Sequence, residues 1–174
     1  MDLLDLRARL QDITYSSDID GHLSAIEALK SEFLHTIRFI GSANPALLQN
    51  CFEWALGISQ ELAHWVGELE LTDLCACSKF VQELIPHLIP VSESDAAEGD
   101  LVLYFDGQMP THAGLVKTST VISKCGKGHI YQHGQLEVPS SYGNEISFLS
   151  ETSGRCGDNE IRRIRSQPPR LRCD

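Results

Sequence analysis

The sequence predicts an α+β fold in which helices come first and an antiparallel sheet follows. Through the first ~90 residues, apolar residues recur every three or four positions, as on the buried face of amphipathic helices. From about residue 100, β-prone runs of five or six residues alternate with turn residues, as in consecutive antiparallel strands. Helices that precede strands in this way are typical of the α+β class.

The N-terminal part contains two amphipathic stretches. The first covers residues 3–10 and ends at the turn sequence SSDIDG. The second covers residues 23–40, and its apolar spacing predicts one helix with one buried stripe. Asp18 or Asp20 can cap the start of this helix, and Gly41 can end it.

Two more helices are expected before the sheet. One runs from Pro45 to about residue 66, and the other covers residues 71–90, where prolines close it. The sequence GSANP marks a boundary between them and the preceding stretch. We therefore divide the chain into an N-terminal helical extension, residues 1–44, and a main α+β domain, residues 45–174.

The sheet is predicted to contain a tight hairpin around Thr118 and Ser119. The strand-like runs are LVLYF, HAGLVK, TVISKC, HIYQH and EISFL, with IRRIR near the C-terminus as one more. If Lys117 pairs with Thr120, His112 lies opposite Cys125 and Ser123 is its diagonal neighbour on the same face. A four-residue loop would leave the same side chains on each face of the sheet, whereas a three-residue loop would bring Lys124 to the face of His112.

Composition and charge exclude several classes of protein. The chain has 174 residues, the size of one ordinary domain. Its net charge of −10 argues against nucleic acid as a partner. There is no run of ~20 apolar residues that would predict a membrane span. The start, MDLLDLRARLQD, is not typical of a secretory signal, so we expect a cytoplasmic protein, or an effector exported without a standard signal.

The six cysteines do not predict a metal site or a cofactor. The CAC sequence at residues 75–77 is too tight for a zinc ligand pair, and no second pair follows. In a reducing cytoplasm most of these thiols are expected to be small core residues. We expect no metal and no cofactor.

Cys51 is the exception because it follows Asn50 at the start of an apolar helix. The Asn50 side chain can cap that helix, which places Cys51 in the first turn, where unpaired amides favour a thiolate. A cysteine hydrolase also needs a histidine within reach to move protons and a third polar group to orient it. His112, at the start of a strand, is the candidate histidine.

These motifs resemble those of the NlpC/P60-type papain-like cysteine peptidases. The superfamily's strand often reads GDLVxF and is followed by HVG, which GDLV and HAG of this chain resemble, and the fuller set is similar to an uncharacterised bacterial family of the same fold. The resemblance covers about residues 45 to 150. Its motifs are Asn50-Cys51, Trp54-Ala55-Leu56-Gly57, His112-Ala113, Ser123-Lys124, Gly126, His133 and Tyr142-Gly143.

The resemblance implies a papain-like fold with Cys51 as nucleophile and His112 as base. The third polar group falls near Ser123, with His133 as the rival. The candidate substrate-binding residues are Asn50, Trp54 and Lys124, with Lys124 expected on the solvent side of its strand. The chain departs from the pattern at Cys125, where a large apolar residue is usual, and in having NCF where DCSG is familiar, which leaves the substrate class and the oxyanion hole open.

The expected function is that of a thiol hydrolase, a peptidase or amidase that forms an acyl-enzyme. The resemblance points to short peptides, peptidoglycan stems included. Transfer of the acyl group to an amine, or deamidation, would use the same chemistry. The third possibility is an inactive papain-like binding module. In that case the N-terminal helices could bind a partner or a second copy, although we expect them to cover the domain's own sheet.

Overall fold

The computed structural model describes residues 2–16, 18–42, 49–57, 78–126 and 128–150. The described helices are α1 (Leu3–Tyr15), α2 (His22–Leu29), α3 (Cys51–Ala55) and α4 (Ser78–Leu84). The strands are β1 (Arg38–Gly41), β2 (Ile89–Val91), β3 (Leu101–Asp106), β4 (Met109–Lys117), β5 (Thr120–Lys124), β6 (Ile130–His133) and β7 (Glu145–Ser150). Short 3-10 turns occupy Ile85–His87 and Ser140–Tyr142. The α+β class is confirmed.

The strands described form one sheet in the order β1-β6-β5-β4-β3-β7-β2, with every neighbouring pair antiparallel. The five strand-like runs between residues 101 and 149 are all strands. The β4–β5 register is also confirmed, since Lys117 pairs with Thr120 and Gly114 pairs with Ser123. The two-residue turn between these strands includes Thr118 at a φ of 57°.

The two faces of the sheet are covered by different parts of the chain. On the first, which we call the α3 face, Leu103 and Ala113 pack with Phe52 of α3 and Val81 of α4. On the second, the α1 face, Val102 and Tyr104 pack under Val138 and Tyr142 of the 138–144 loop. Tyr131 extends this second face beneath α1 and α2.

The structure corrects the prediction of one long helix over residues 23–40. Helix α2 ends at Leu29, and residues 38–41 form β1 at the edge of the sheet, where Arg38 pairs with Gln132 of β6. Apolar spacing could not reveal this because edge pairing uses backbone groups: Phe39 and Ile40 are about half exposed. Neither predicted aspartate caps α2, which begins after Gly21 without a side-chain cap.

The helix predicted over residues 71–90 is also shorter than expected. Helix α4 ends at Leu84, and Ile89–Val91 form edge strand β2, which pairs with β7. Pro86 and Pro90 explain the break, since proline cannot continue a helix and is accepted at a sheet edge.

The helix predicted from Pro45 to about residue 66 is also too long within the described residues. Helix α3 begins at Cys51 after the extended Asn50, ends at Ala55, and is followed by Gly57 at a φ of 62°. The other residues of that predicted helix, and the IRRIR strand, lie outside the described residues.

Helices α1 and α2 cover the chain's own sheet, as expected. Leu6 and Leu10 of α1 pack with Ile26 and Leu29 of α2, and this cluster includes Tyr131 of β6. The apolar stripe of the N-terminal segment is therefore occupied in the described structure. β1 also belongs to the same sheet as the strands after residue 100, so the N-terminal segment is integrated with the rest.

Arg7 ties α1 to the loop of residues 138–144. Although charged, its side chain is only 2% exposed. Its guanidinium donates to the carbonyl oxygens of Val138, Pro139 and Gly143 and to the side-chain oxygen of Asn144. Five N–H donors in a fixed fork suit this set of acceptors. The loop that carries Tyr142 thus depends on a residue more than 130 positions earlier in the chain.

We expect Arg7→Met to lower the free energy of unfolding by about 2–4 kcal/mol, because several buried carbonyl groups lose their donors. Arg9→Met is the matched control: Arg9 is more than half exposed and makes only a 3.9 Å ion pair with Glu32, so a change within about 0.5 kcal/mol is expected. Urea unfolding measures both. Equal effects of the two substitutions would contradict the anchoring role of Arg7.

Candidate functional site

Helix α3 begins with Cys51 because Asn50 and Glu53 form a capping box. The Asn50 side-chain oxygen accepts from the Glu53 N–H at 3.0 Å, and the Glu53 carboxylate accepts from the Asn50 N–H at 2.8 Å. Two amides that a helix start would leave without a partner are thereby satisfied. The predicted cap is confirmed, and it fixes where the Cys51 side chain leaves the helix.

The Cys51 sulfur lies against the backbone of β4. It is within hydrogen-bonding reach of the N–H groups of Ala113, Phe52 and Cys51 itself. The residue is buried, and burial raises the pKa of the thiol to about 11, although these N–H groups and Lys124 oppose the rise. In the described arrangement desolvation outweighs the nearby donors, so the pKa of the thiol lies above its ordinary value and not below it as the helix start would favour.

His112 lies beside Ala113 in β4 but points to the other face of the sheet. Its ring stacks on Tyr142, with 3.9 Å between centroids and 16° between planes, and it also packs against Tyr104. The side chain is fully buried, and neither ring nitrogen has a hydrogen-bond partner among the described residues. Burial, and secondly the neighbouring His133, lower its pKa well below the usual value.

Ser123 and His133 are hydrogen bonded to each other. The Ser123 hydroxyl lies 2.8 Å from Nε2 of His133, and Nδ1 of His133 lies 2.8 Å from the Gly134 carbonyl oxygen. A carbonyl oxygen only accepts, so Nδ1 carries the proton and Nε2 accepts from Ser123. The two alternatives for the third polar group thus form one buried pair, on the face that also carries His112.

Lys124 corrects a further expectation. Its side chain lies on the opposite side of β5 from Ser123, as predicted, but it is 4% exposed and does not face solvent. Its ammonium donates to the Gly126 carbonyl oxygen at 3.0 Å. Burial lowers its pKa, while Cys51, Cys125 and Glu53 act in the opposite direction.

The remaining predicted residues have simpler environments. Trp54 is partly buried and packs on the same cluster as Cys51. Cys125 packs against the α1–α2 cluster, and burial raises its pKa to about 12. Cys75, Cys77, Cys156 and Cys173 lie outside the described residues. Within the part of the chain that the structure describes, no group of three or more His, Cys, Asp or Glu side chains could hold a metal ion.

Sequence reasoning assigned no chemistry to Tyr142 and overlooked Arg7. Tyr142 forms the stacking surface for His112, and Arg7 holds the loop that carries it. The Tyr142-Gly143 motif was a usable signal for the first residue. For Arg7 the signal was its place between Leu6 and Leu10, since a charge within an apolar stripe requires buried partners.

The fold and site define a mixed helix and antiparallel-sheet protein with a buried cysteine against a central strand. The chain belongs to a family defined by a domain of unknown function, DUF7689, whose family model matches residues 44–150. No curated protein and no solved structure matches it. Among the described residues, no helix is long and apolar enough to cross a membrane.

Acidification should destabilise the protein because His112 and His133 both have pKa values lowered by burial from the usual 6.5. Below that pH the unfolded chain binds more protons than the folded one, so the free energy of unfolding falls as pH falls. We expect a lower melting temperature at about pH 5 than at about pH 7.5.

Two variants identify the source of that pH dependence. His112→Phe keeps a ring on Tyr142 and should make the pH dependence shallower. His87→Gln, at an exposed position, should leave the profile unchanged. Identical profiles for wild type and His112→Phe, by calorimetry or circular dichroism, would show that His112 does not contribute.

Proposed function

We propose that the protein is a thiol hydrolase that cleaves an amide bond, with Cys51 as nucleophile and His112 as its proton-transfer partner. The observation that carries this proposal is the contact of the Cys51 sulfur with the N–H of Ala113, the residue directly after His112. A thiol that contacts the residue next to a histidine belongs to the pair of groups that covalent acyl transfer needs, a nucleophile and a base. The order of motifs supports a papain-like arrangement.

The chemistry would proceed in two steps. The Cys51 sulfur attacks the amide carbonyl carbon, its proton passes to His112, and His112 returns that proton to the departing amine. A thioester remains, and water hydrolyses it to a carboxylic acid and the free thiol. The backbone N–H groups around Cys51 can stabilise negative charge on the carbonyl oxygen as the intermediate forms.

The described arrangement fits a resting state of such an enzyme. Burial keeps both groups neutral, and no hydrogen bond joins the Cys51 sulfur to His112 among the described contacts. Catalytic hydrogen bonds are often formed only when substrate is bound. The imidazole makes no hydrogen bond to a described residue, but its approach to Cys51 would need a rearrangement of β4 or of the start of α3, because the two side chains lie on opposite faces of the sheet.

Orientation of His112 would come from its neighbours on the α1 face. The Tyr142 ring restrains the imidazole by stacking, and the Ser123–His133 pair supplies the polar group that papain-like sites place near the histidine. We propose positioning roles for Ser123 and His133. Asn50, through its cap, would position Cys51, and Trp54 would line the groove.

One observation favours a second candidate, an inactive papain-like binding module. The pKa of Cys51 is raised, not lowered, and His112 is enclosed by aromatic rings. Transfer to an amine acceptor and deamidation would use the same thioester. Transfer differs from hydrolysis in the acceptor, and deamidation differs in the amide that is cleaved.

The test is release of a fluorescent amine from a panel of acyl-aminocoumarin amides, with intact-mass detection of the thioester. We expect wild-type turnover and a loss of at least about 10³-fold in both Cys51→Ala and His112→Phe, because each removes a reacting group. Cys125→Ala, at the other thiol among the described residues, is the matched control and should stay within about tenfold of wild type.

Full turnover in Cys51→Ala would contradict the mechanism. No amine release and no thioester from any amide in wild type would favour the binding module. An acyl mass that moves to an added amine would favour a transferase.

A further inference from the structure

Lys124 is buried on the same side of the sheet as Cys51. Alternation along β5 sends Ser123 to the α1 face and Lys124 to the α3 face. Continuing the β4–β5 register by one residue from the Gly114–Ser123 pair places Lys124 opposite Ala113. Ala113 packs with α3, and its N–H reaches the Cys51 sulfur. The ammonium group is close enough to Cys51 to stabilise its thiolate.

The Lys124 ammonium has fewer partners than its charge requires. It carries three donors, and its hydrogen bond within the described structure goes to the Gly126 carbonyl oxygen. Within the described residues the ion pairs are Arg9–Glu32, Lys30–Glu27 and Lys117–Glu98, and Lys124 is in none of them. A cation that is 96% removed from solvent without a paired anion is costly, so such groups are normally neutralised or bound to an anion.

Glu53, the acidic residue nearest to Cys51 in sequence, already takes part in the helix cap. Glu53 attracts Lys124, but its carboxylate accepts the N–H of Asn50 in the capping box. The N–H groups of Ala113, Phe52 and Cys51 donate towards the Cys51 sulfur and act with Lys124 against the effect of burial. These groups would stabilise an anion at this position, although the chain as a whole carries a net charge of −10.

We infer that Lys124 binds a carboxylate carried by the substrate next to the bond that Cys51 attacks, so that anionic amides are the substrate class. This rests on the proposed function. A protein of net negative charge repels anionic ligands at long range, and a single buried ammonium is a means of selecting them at short range, where low dielectric strengthens the attraction.

Two alkylating reagents of nearly equal size test the inference without any substrate. Iodoacetate carries a carboxylate and iodoacetamide does not, and both alkylate a thiolate by displacing iodide. The measurement is the ratio of their rates at Cys51, by peptide mapping of the intact protein, with the ratio at free cysteine as reference. Differences in the pKa or exposure of the thiol affect both reagents alike and therefore cancel in the ratio of the two rates.

The variants isolate the charge of Lys124. We expect Lys124→Met, which keeps the length of the side chain, and Lys124→Gln to lower the iodoacetate-to-iodoacetamide ratio at Cys51 at least about fivefold. Lys124→Arg should keep the ratio within about twofold of wild type. Lys117→Gln is the control, since Lys117 is exposed and paired with Glu98, and it should leave the ratio unchanged. Melting curves verify that each variant is folded.

Each outcome decides the inference. Equal ratios in wild type and both charge-removing variants would overturn it, and so would failure of both reagents to reach Cys51, because such a site admits no carboxylate. Amide cleavage with an unchanged ratio would overturn the substrate class and leave the hydrolase intact. A Lys124-dependent ratio without cleavage of any amide would keep the anion site and reject the hydrolase.

Discussion

The alternation of side chains along β4 is the constraint on which the rest of the site depends. Ala113 points to the α3 face and receives the start of α3, while His112 points to the α1 face and enters an aromatic cluster. Because the two residues are adjacent, their common peptide joins the cysteine side of the sheet to the histidine side. Because Cys51 and His112 lie on opposite sides of β4, a proton transferred between them has to cross or bypass this strand.

Burial then determines the charge state of the site. Desolvation raises the pKa of Cys51 and lowers that of His112 and Lys124, so each group is driven towards its neutral form. A thiolate–imidazolium pair would therefore need compensation from a ligand or from a rearrangement. The same low dielectric that opposes charge at rest strengthens each interaction once a charged ligand has entered.

The N-terminal segment supports the surroundings of His112, although residues before 44 lie outside the family match. Arg7 holds the 138–144 loop, this loop carries Tyr142, and Tyr142 stacks on His112. The aromatic cluster thus depends on four hydrogen bonds from one buried guanidinium. Conservation of the matched range alone would not reveal this connection, because it joins positions far apart in sequence.

The sequence by itself determined those features that depend on residues close together in the chain. The five strands between residues 101 and 150, the β4–β5 register and the Asn50 cap follow from alternation, turn length and capping chemistry within a few residues. Only the tertiary structure decided that residues 38–41 pair at the sheet edge, that Lys124 is buried and that burial raises the pKa of Cys51. Edge pairing, burial and desolvation are set by distant neighbours: β6 for Arg38, and the packing of α3 on the sheet for Lys124 and Cys51.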